Sequence, residues 1–302
     1  MPNTLIIMRI IMQNKLVLVT GAKGQLGSEI NELIHGYSQY DFLFVDVEEL
    51  DLSQHKYIVD FLQEKQPDII INCAAYTAVD KAEEEEELAE KVNHLAIKSI
   101  AEIAKEKNIS VIHVSTDYVF NGKNFKPYSE DDQTNPNAIY GSSKLNGEKA
   151  LLAINPSNSI IIRTAWVYSS FGNNFIKTMM RLGRDKTELS VVYDQIGSPT
   201  YARDLAKAIL DILPAIKNDQ VEIYHYTDEG ICSWYDLAVA IMSISELNCK
   251  ITPIESKDYP TPATRPHYSV LNKAKIKEKF QIDIPHWYES LCDCIKKIKA
   301  KG

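Results

Sequence analysis

Lys15-Leu-Val-Leu-Val-Thr20, followed at once by Gly21-Ala-Lys-Gly24-Gln-Leu-Gly27, decides the fold of this chain. The first six residues form a nearly continuous apolar run rich in branched side chains. That is the pattern of a strand buried on both faces of a parallel sheet. Glycines at three-residue spacing then let the chain turn sharply and let its backbone approach a ligand. Residues 28–34 have helical character, so the helix would start with free N–H groups over the turn. Strand, glycine turn and helix in that order make a site for a pyrophosphate.

The same rhythm continues outward. Residues 42–47 read as a second strand, and 54–66 as a helix that stops before Pro67. Residues 68–73 read as a third strand and 83–107 as a long helix, whose acidic run Glu83–Glu87 is taken as a solvated face near its N-terminus. A fourth strand at 111–115, a helix at 140–153 and a fifth strand at 159–164 follow. This alternation predicts an α/β fold, a Rossmann-type doubly wound parallel sheet. After Trp166 the rhythm breaks into a helix at 173–184, a short strand at 190–192, a helix at 204–213 stopped by Pro214, and a last helix near 287–299. Pro253, Pro260, Pro262 and Pro266 suggest loops that frame a pocket rather than a second sheet. Residues 1–170 are therefore expected to form the dinucleotide-binding domain, with 190–224 returning to it. Residues 171–302 are expected to be mostly a smaller, C-terminal substrate-binding region. Residues 1–14 are an extension outside the pattern, with Met8 and Met12 as alternative starts. Their apolar run, 5–12, is too short to span a membrane and lacks the basic start and small-residue cleavage site of a signal peptide.

Bulk properties narrow the function. The 302 residues are 45% hydrophobic and 25% charged, with a net charge of -8, an ordinary globular balance on the acidic side. An acidic surface argues against general nucleic-acid binding, which needs clustered Lys and Arg. No stretch is apolar enough for a bilayer. Cys73, Cys232, Cys249, Cys292 and Cys294 make an odd count without a Cys-x-x-Cys pair, as expected of reduced thiols in a cytoplasmic protein.

Chemistry concentrates where strands end. Asp46 lies roughly ~20 residues past the glycines, where a carboxylate hydrogen-bonds a ribose 2′-hydroxyl and repels a 2′-phosphate, a lean toward NADH over NADPH. Asp51 and Leu52 follow in a loop that could meet the adenine. Asn72-Cys-Ala74-Ala75 closes the third strand with small residues that leave room for a cofactor. Ser115-Thr116-Asp117 closes the fourth. Tyr140-Gly-Ser-Ser-Lys144 puts a phenol and an ammonium four residues apart on one helix face. The lysine charge would lower the phenol pKa from about 10 and fit Tyr140 for general acid work. A carbonyl oxygen held by Thr116 and Tyr140 could accept hydride from a nicotinamide while Tyr140 gives the proton. Lys144 would hold the nicotinamide ribose; Asn93 has a structural role in its helix or else supports a water chain to Lys144.

With Asn72-Cys-Ala-Ala-Tyr-Thr-Ala-Val-Asp-Lys-Ala-Glu83, Ser115-Thr-Asp-Tyr-Val-Phe-Asn-Gly122, Arg163-Thr-Ala-Trp-Val-Tyr168, Asn173-Asn-Phe175, Asp194-Gln-Ile-Gly-Ser-Pro-Thr200 and Thr261-Pro-Ala-Thr-Arg-Pro266, the chain resembles the extended short-chain dehydrogenase/reductase family from about Lys15 to its C-terminus. The resemblance implies NADH- or NADPH-dependent reduction of the C4 ketone of a dTDP-linked sugar, dTDP-4-dehydro-L-rhamnose, to dTDP-L-rhamnose, a supply step for O-antigen and other cell-surface polysaccharide. It implies that Gly21, Gly24, Gln25, Leu26 and Gly27 form the pyrophosphate turn and that Asp46, Asp51 and Leu52 hold the adenosine half. Ala74, Ala75, Tyr76, Thr77 and the backbone at Val114 would contact the dinucleotide. Thr116, Asp117 and Trp166 would touch the sugar nucleotide, with Asn174 and Arg265 as further substrate contacts, the latter through the diphosphate. Some members are metal-linked dimers that use glutamates. Glu29 matches one such position, but Arg203 stands where a second acid belongs, which puts in doubt the magnesium that the resemblance would allow, and a homodimer stays open. Two rival readings remain. A related 4-keto sugar-nucleotide reductase, epimerase or dehydratase shares the fold, but Tyr118 stands where dehydration needs an acid after Thr116-Asp117. A non-catalytic regulatory subunit of the methionine adenosyltransferase type also shares it, but Thr116, Tyr140 and Lys144 are intact.

Overall fold

The computed structural model describes residues 14–301. The extension expected over 1–14 thus lies, but for Asn14, outside the described residues. Six strands form one all-parallel sheet: β1 (Lys15–Thr20), β2 (Tyr40–Val45), β3 (Ile69–Asn72), β4 (Ser110–Thr116), β5 (Ile160–Thr164) and β6 (Glu222–His225). Their order across the sheet is β2-β1-β3-β4-β5-β6. The order reverses at β1, between β2 and β3, and ligands of such sheets bind at the carboxyl edge of that switch point. β3 is Ile-Ile-Ile-Asn and wholly buried, as its place inside a two-sided sheet requires.

Alternate side chains of each strand feed two different cores. Val17, Val19, Ile69, Ile71 and Ile112 pack against α1 (Gln25–Leu33) and, from later in the chain, the helix Ala202–Ile212. Leu18, Ile70, Val111 and Ile161 face the opposite way, against α2 (His55–Lys65), α3 (Ala96–Lys107) and α4 (Ile139–Ile154). A third core joins α5 (Phe175–Asp185) to two later helices, Trp234–Ser245 and Trp287–Lys301. With α6 (Ala202–Ile212), α7 (Trp234–Ser245), α8 (Ala274–Phe280) and α9 (Trp287–Lys301), the helices are complete apart from short turns. Among the described residues, no helix is long and apolar enough to cross a membrane, and none of the five cysteines is paired.

Three elements differ from the sequence reading. The long helix expected over 83–107 is broken into two short turns, Val79–Ala82 and Glu86–Glu90, a π-turn at Lys91–Leu95, and α3. The π-turn carries Asn93, whose amide bonds both the N–H (2.9 Å) and the carbonyl (3.1 Å) of Tyr76; such bulges re-aim a side chain at a cost in helix regularity. Exposed as expected, the acidic run nevertheless has structural partners: Glu83 accepts from the Ile139 N–H at 2.9 Å, capping α4 from outside. Pro253 sits in a strand, Lys250–Ile254, paired in parallel with Glu188–Val192, so the proline-marked tail does contribute a two-stranded sheet. α7 was not legible in the hydrophobic pattern; its signal is a capping box between Ser233 and Asp236 with Asp in the place usually taken by Glu or Gln.

Candidate active site

A cavity of about 1020 Å³ opens at the carboxyl edge over β1, β3 and β4. Its floor is the glycine turn. Gly21 has φ +66°, and a Cβ there would stand 2.8 Å from the Ala74 N, so only glycine lets β1 turn this close to β3. Gly24 begins α1 with no side chain capping it, which leaves free N–H groups at the helix start. Gly27 does not line the cavity; a Cβ on it would lie 2.3 Å from the Gly21 carbonyl oxygen, so it sets how tightly α1 packs on the turn. These features fit a dinucleotide: an uncapped helix start, a turn without side chains, and small residues at Ala74 and Ala75.

Gly21, Gly24, Gln25, Leu26, Asp46, Asp51, Leu52, Ala74, Ala75, Tyr76, Thr77 and Val114 all line this cavity. Asp46 accepts from the Lys23 and Val47 N–H groups at 2.7 and 2.8 Å, so its carboxylate organises the turn as well as facing the cavity. Thr116, Asp117, Tyr140, Lys144, Trp166 and Asn174 line it too. Arg265 does not: it donates to Asp80 at 2.6 Å and to the Tyr118 hydroxyl at 3.1 Å. This pins the Thr261–Pro266 segment to the turn after β3. Asn174 caps α5 by accepting from the Lys177 N–H, and its amide donates to Gln25 and to the Ser169 carbonyl, so it braces the wall while facing the cavity.

Tyr140 and Thr116 meet where β4 and α4 converge, with the Tyr118 ring edge-on to Tyr140 at 5.4 Å. Burial pushes the Tyr140 phenol above its ordinary value, against a smaller lowering by the Thr116 hydroxyl. This departs from the expectation that Lys144 lowers it. The reason is geometric: Lys144 Nζ donates to the Val114 carbonyl at 2.7 Å and lies 3.3 Å from His113 Nε2, in a buried site that brings the amine down to about 8. Asp117 accepts from Thr116 at 2.9 Å through Oδ1, while Oδ2 is buried without a partner. Burial raises this carboxyl to about 7, opposed by its hydrogen bond from Thr116. The Asn93 side chain is used structurally: its amide is spent on Tyr76 and on Ser143 Oγ (3.1 Å).

Across from the turn stands an aromatic wall. Trp166, held at φ +51°, stacks on Trp234 with centroids 3.7 Å apart, and Phe175 tilts against Trp234 at 4.7 Å. Phe175 was marked only as part of a motif and Trp234 not at all, because nothing local marks two aromatics so far apart in sequence as neighbours. Gln25 ties the two walls, donating to the Val167 carbonyl at 3.4 Å and accepting from Asn174 at 2.9 Å. Glu29 is fully buried with Ser169 at 2.6 Å and Arg203 at 3.4 Å. Arg203 is thus its counter-ion, and the described residues hold no group of three acids, histidines or cysteines suited to a metal.

Residues 14–300 match the family model described as RmlD substrate binding domain. The chain belongs to this family. It is 40% identical to the dTDP-4-dehydrorhamnose reductase of Aggregatibacter actinomycetemcomitans over 284 residues, which is 91% of this chain and 96% of that one. The solved dTDP-4-dehydrorhamnose reductase of Clostridium acetobutylicum superposes with a TM-score of 0.89 at 41% identity, covering 94% of this chain and 99% of the other. The Bacillus anthracis dTDP-4-dehydrorhamnose reductase in complex with NADP gives the same TM-score at 35% identity, over 94% and 100%. Family and fold therefore agree with the resemblance to extended short-chain dehydrogenases.

Proposed function

We propose that this chain reduces the C4 ketone of dTDP-4-dehydro-L-rhamnose to dTDP-L-rhamnose with NADPH or NADH. The observation that carries the reading is the meeting of Thr116, Tyr140 and Lys144 beside an uncapped helix start in one cavity, in a chain whose relatives are reductases of that name. The bound nicotinamide supplies the hydride. Tyr140 gives its phenolic proton to the ketone oxygen as the hydride reaches C4, so that the C4 carbonyl becomes a hydroxyl. Thr116 holds the same oxygen, and Asp117 offers its unpartnered Oδ2 to a sugar hydroxyl. Lys144 holds the nicotinamide ribose; the glycine turn, with Gln25 and Leu26, takes the pyrophosphate; Asp46, Asp51 and Leu52 take the adenosine half. Ala74, Ala75, Tyr76, Thr77 and Val114 line its path. Trp166 supports the sugar nucleotide, with Asn174 and Arg265 as further contacts, the latter through the diphosphate.

For the expected division, 1–170 with 190–224 returning to it, support comes from α6, which packs on the sheet, and β6, which adds residues 222–225 to its edge, while 188–192 pairs with 250–254 on the substrate side; most of 171–302 frames the substrate. A cytoplasmic protein without nucleic-acid partners completes the reading, its oligomeric state left open, and the product feeds cell-surface polysaccharide. The test is the fall in absorbance of NADPH, and separately NADH, with the keto-sugar nucleotide made in situ. Turnover by the wild type supports the reading; none, from folded protein that binds the dinucleotide, removes the substrate assignment.

A further inference from the structure

The helix that carries Tyr140 has a poor start of its own. α4 begins after Ala138, whose side chain caps nothing, and its first turn holds no acidic residue. Alanine is among the weakest residues at that position. A helix start with neither cap nor acid leaves its first N–H groups and its dipole unmet. The third position is Gly141, a costly residue inside a helix. No larger residue fits there, since a Cβ on it would lie 2.3 Å from the Tyr118 carbonyl oxygen. Tyr140 stands beside it, at the second position of the helix. A first turn that frays therefore moves the phenol with it.

The missing cap comes from 56 residues away in sequence. Glu83 Oε1 accepts from the Ile139 N–H at 2.9 Å, the first N–H of α4 and the neighbour of Tyr140. Glu83 is exposed, so its hold depends on the turn that carries it. That turn, Val79–Ala82, is pinned. Ala82 is fully buried, and its N–H donates to the Ala78 carbonyl at 2.9 Å. Asp80 accepts from the Ala263 N–H at 3.3 Å through Oδ1 and from Arg265 at 2.6 Å through Oδ2. Arg265 in turn donates to the Tyr118 hydroxyl at 3.1 Å, and the Tyr118 ring stands edge-on to Tyr140. The turn thus reaches Tyr140 twice, through the start of its helix and through the ring beside it.

We propose that Glu83 is a positioning residue for Tyr140: its carboxylate caps α4 from the turn after β3 and fixes where the phenol stands in the cavity. The role of Tyr140 rests on the reductase reading; the cap itself does not.

The test compares Glu83→Ala, which removes the acceptor, with Glu83→Gln, which keeps an acceptor oxygen and drops the charge. Both alter an exposed side chain. Rates are taken per dinucleotide-binding site and well below the melting temperature, so unfolded protein does not count. Glu83→Ala should lower kcat about 10-fold, since misplacing a reacting group by about 1 Å can cost about 100-fold. KM and dinucleotide affinity should stay put, and Glu83→Gln should keep most of the wild-type kcat. In a Tyr140→Phe background Glu83→Ala should cost nothing further, because the group it positions is gone. A cap that serves stability alone lowers the melting temperature and leaves kcat unchanged, and an unchanged kcat overturns the proposal. So does an equal loss in Glu83→Gln, or a second loss of the same size on top of Tyr140→Phe. Hydrogen exchange over residues 139–143 needs no turnover; it should quicken about 10-fold in Glu83→Ala and stay near wild type in Glu83→Gln. An inactive wild type with that exchange pattern would strike the reductase reading and leave the cap standing. Unchanged exchange in Glu83→Ala removes the cap itself.

Discussion

The two walls of the cavity are made of different material. On the glycine side the wall is backbone: the turn between β1 and α1, the uncapped start of α1 and the end of β3, held by strand register. On the other side the wall is side chain: Trp166 on Trp234, with Phe175 against them. A backbone wall has fixed shape and tolerates no added atom. A side-chain wall keeps its fold when truncated but loses its surface. Replacing residues on each side therefore separates binding of the dinucleotide from binding of the sugar nucleotide.

The largest effect is expected where the walls meet. Tyr140→Phe removes the proton and little else, and should lower kcat by roughly 1000-fold, within the range for a lost general acid, with an unchanged melting temperature. On the backbone side, Gly21→Val meets both a left-handed φ and the Ala74 backbone 2.8 Å away. Dinucleotide affinity, read by quenching of tryptophan fluorescence, should fall on the order of 100-fold or more. On the side-chain side, Trp234→Ala leaves Trp166 without its stacking partner. KM for the keto-sugar nucleotide should rise about 10-fold while dinucleotide affinity stays put, since aromatic pairs are worth about one kcal/mol beyond burial. Equal losses of both ligands in either variant would erase the distinction between the walls.

The same difference explains what the sequence made legible. Backbone walls announce themselves locally: an apolar run, glycines at fixed spacing and a helix start lie within thirteen consecutive residues, Lys15–Gly27. Tyr140 and Lys144 are equally local, four apart on α4. The aromatic wall is assembled from residues 166, 175 and 234, whose proximity depends on how α5 and α7 pack in the third core. No periodicity carries that information. Arg265 was found by its motif, but its partner was not, since only the fold brings Asp80, 185 residues away in sequence, within 2.6 Å of it. Asn93 lies in a stretch that reads as one regular helix; the π-turn that aims its amide at Tyr76 leaves no mark in the sequence.

Asp117 gives the smallest effect and the sharpest sign. It lies on the seam between the walls, buried, with Oδ2 unpartnered, and burial raises its carboxyl to about 7. In the unfolded chain an aspartate titrates near 3.9. Between those values the folded state binds the proton and the unfolded state does not. Stability from this group is therefore full below about pH 4 and is lost as pH rises toward 7, the reverse of a salt-bridged aspartate. Asp117→Asn keeps an oxygen for the Thr116 hydroxyl and cannot ionise. Its melting temperature relative to the wild type should climb by a few degrees between pH 5 and pH 8, as a penalty confined to the wild type appears. Melting curves at both pH values check it. A difference that shrinks with rising pH would mean that Asp117 is ionised and partnered in the free enzyme, and the seam would then be electrostatically open before any substrate arrives.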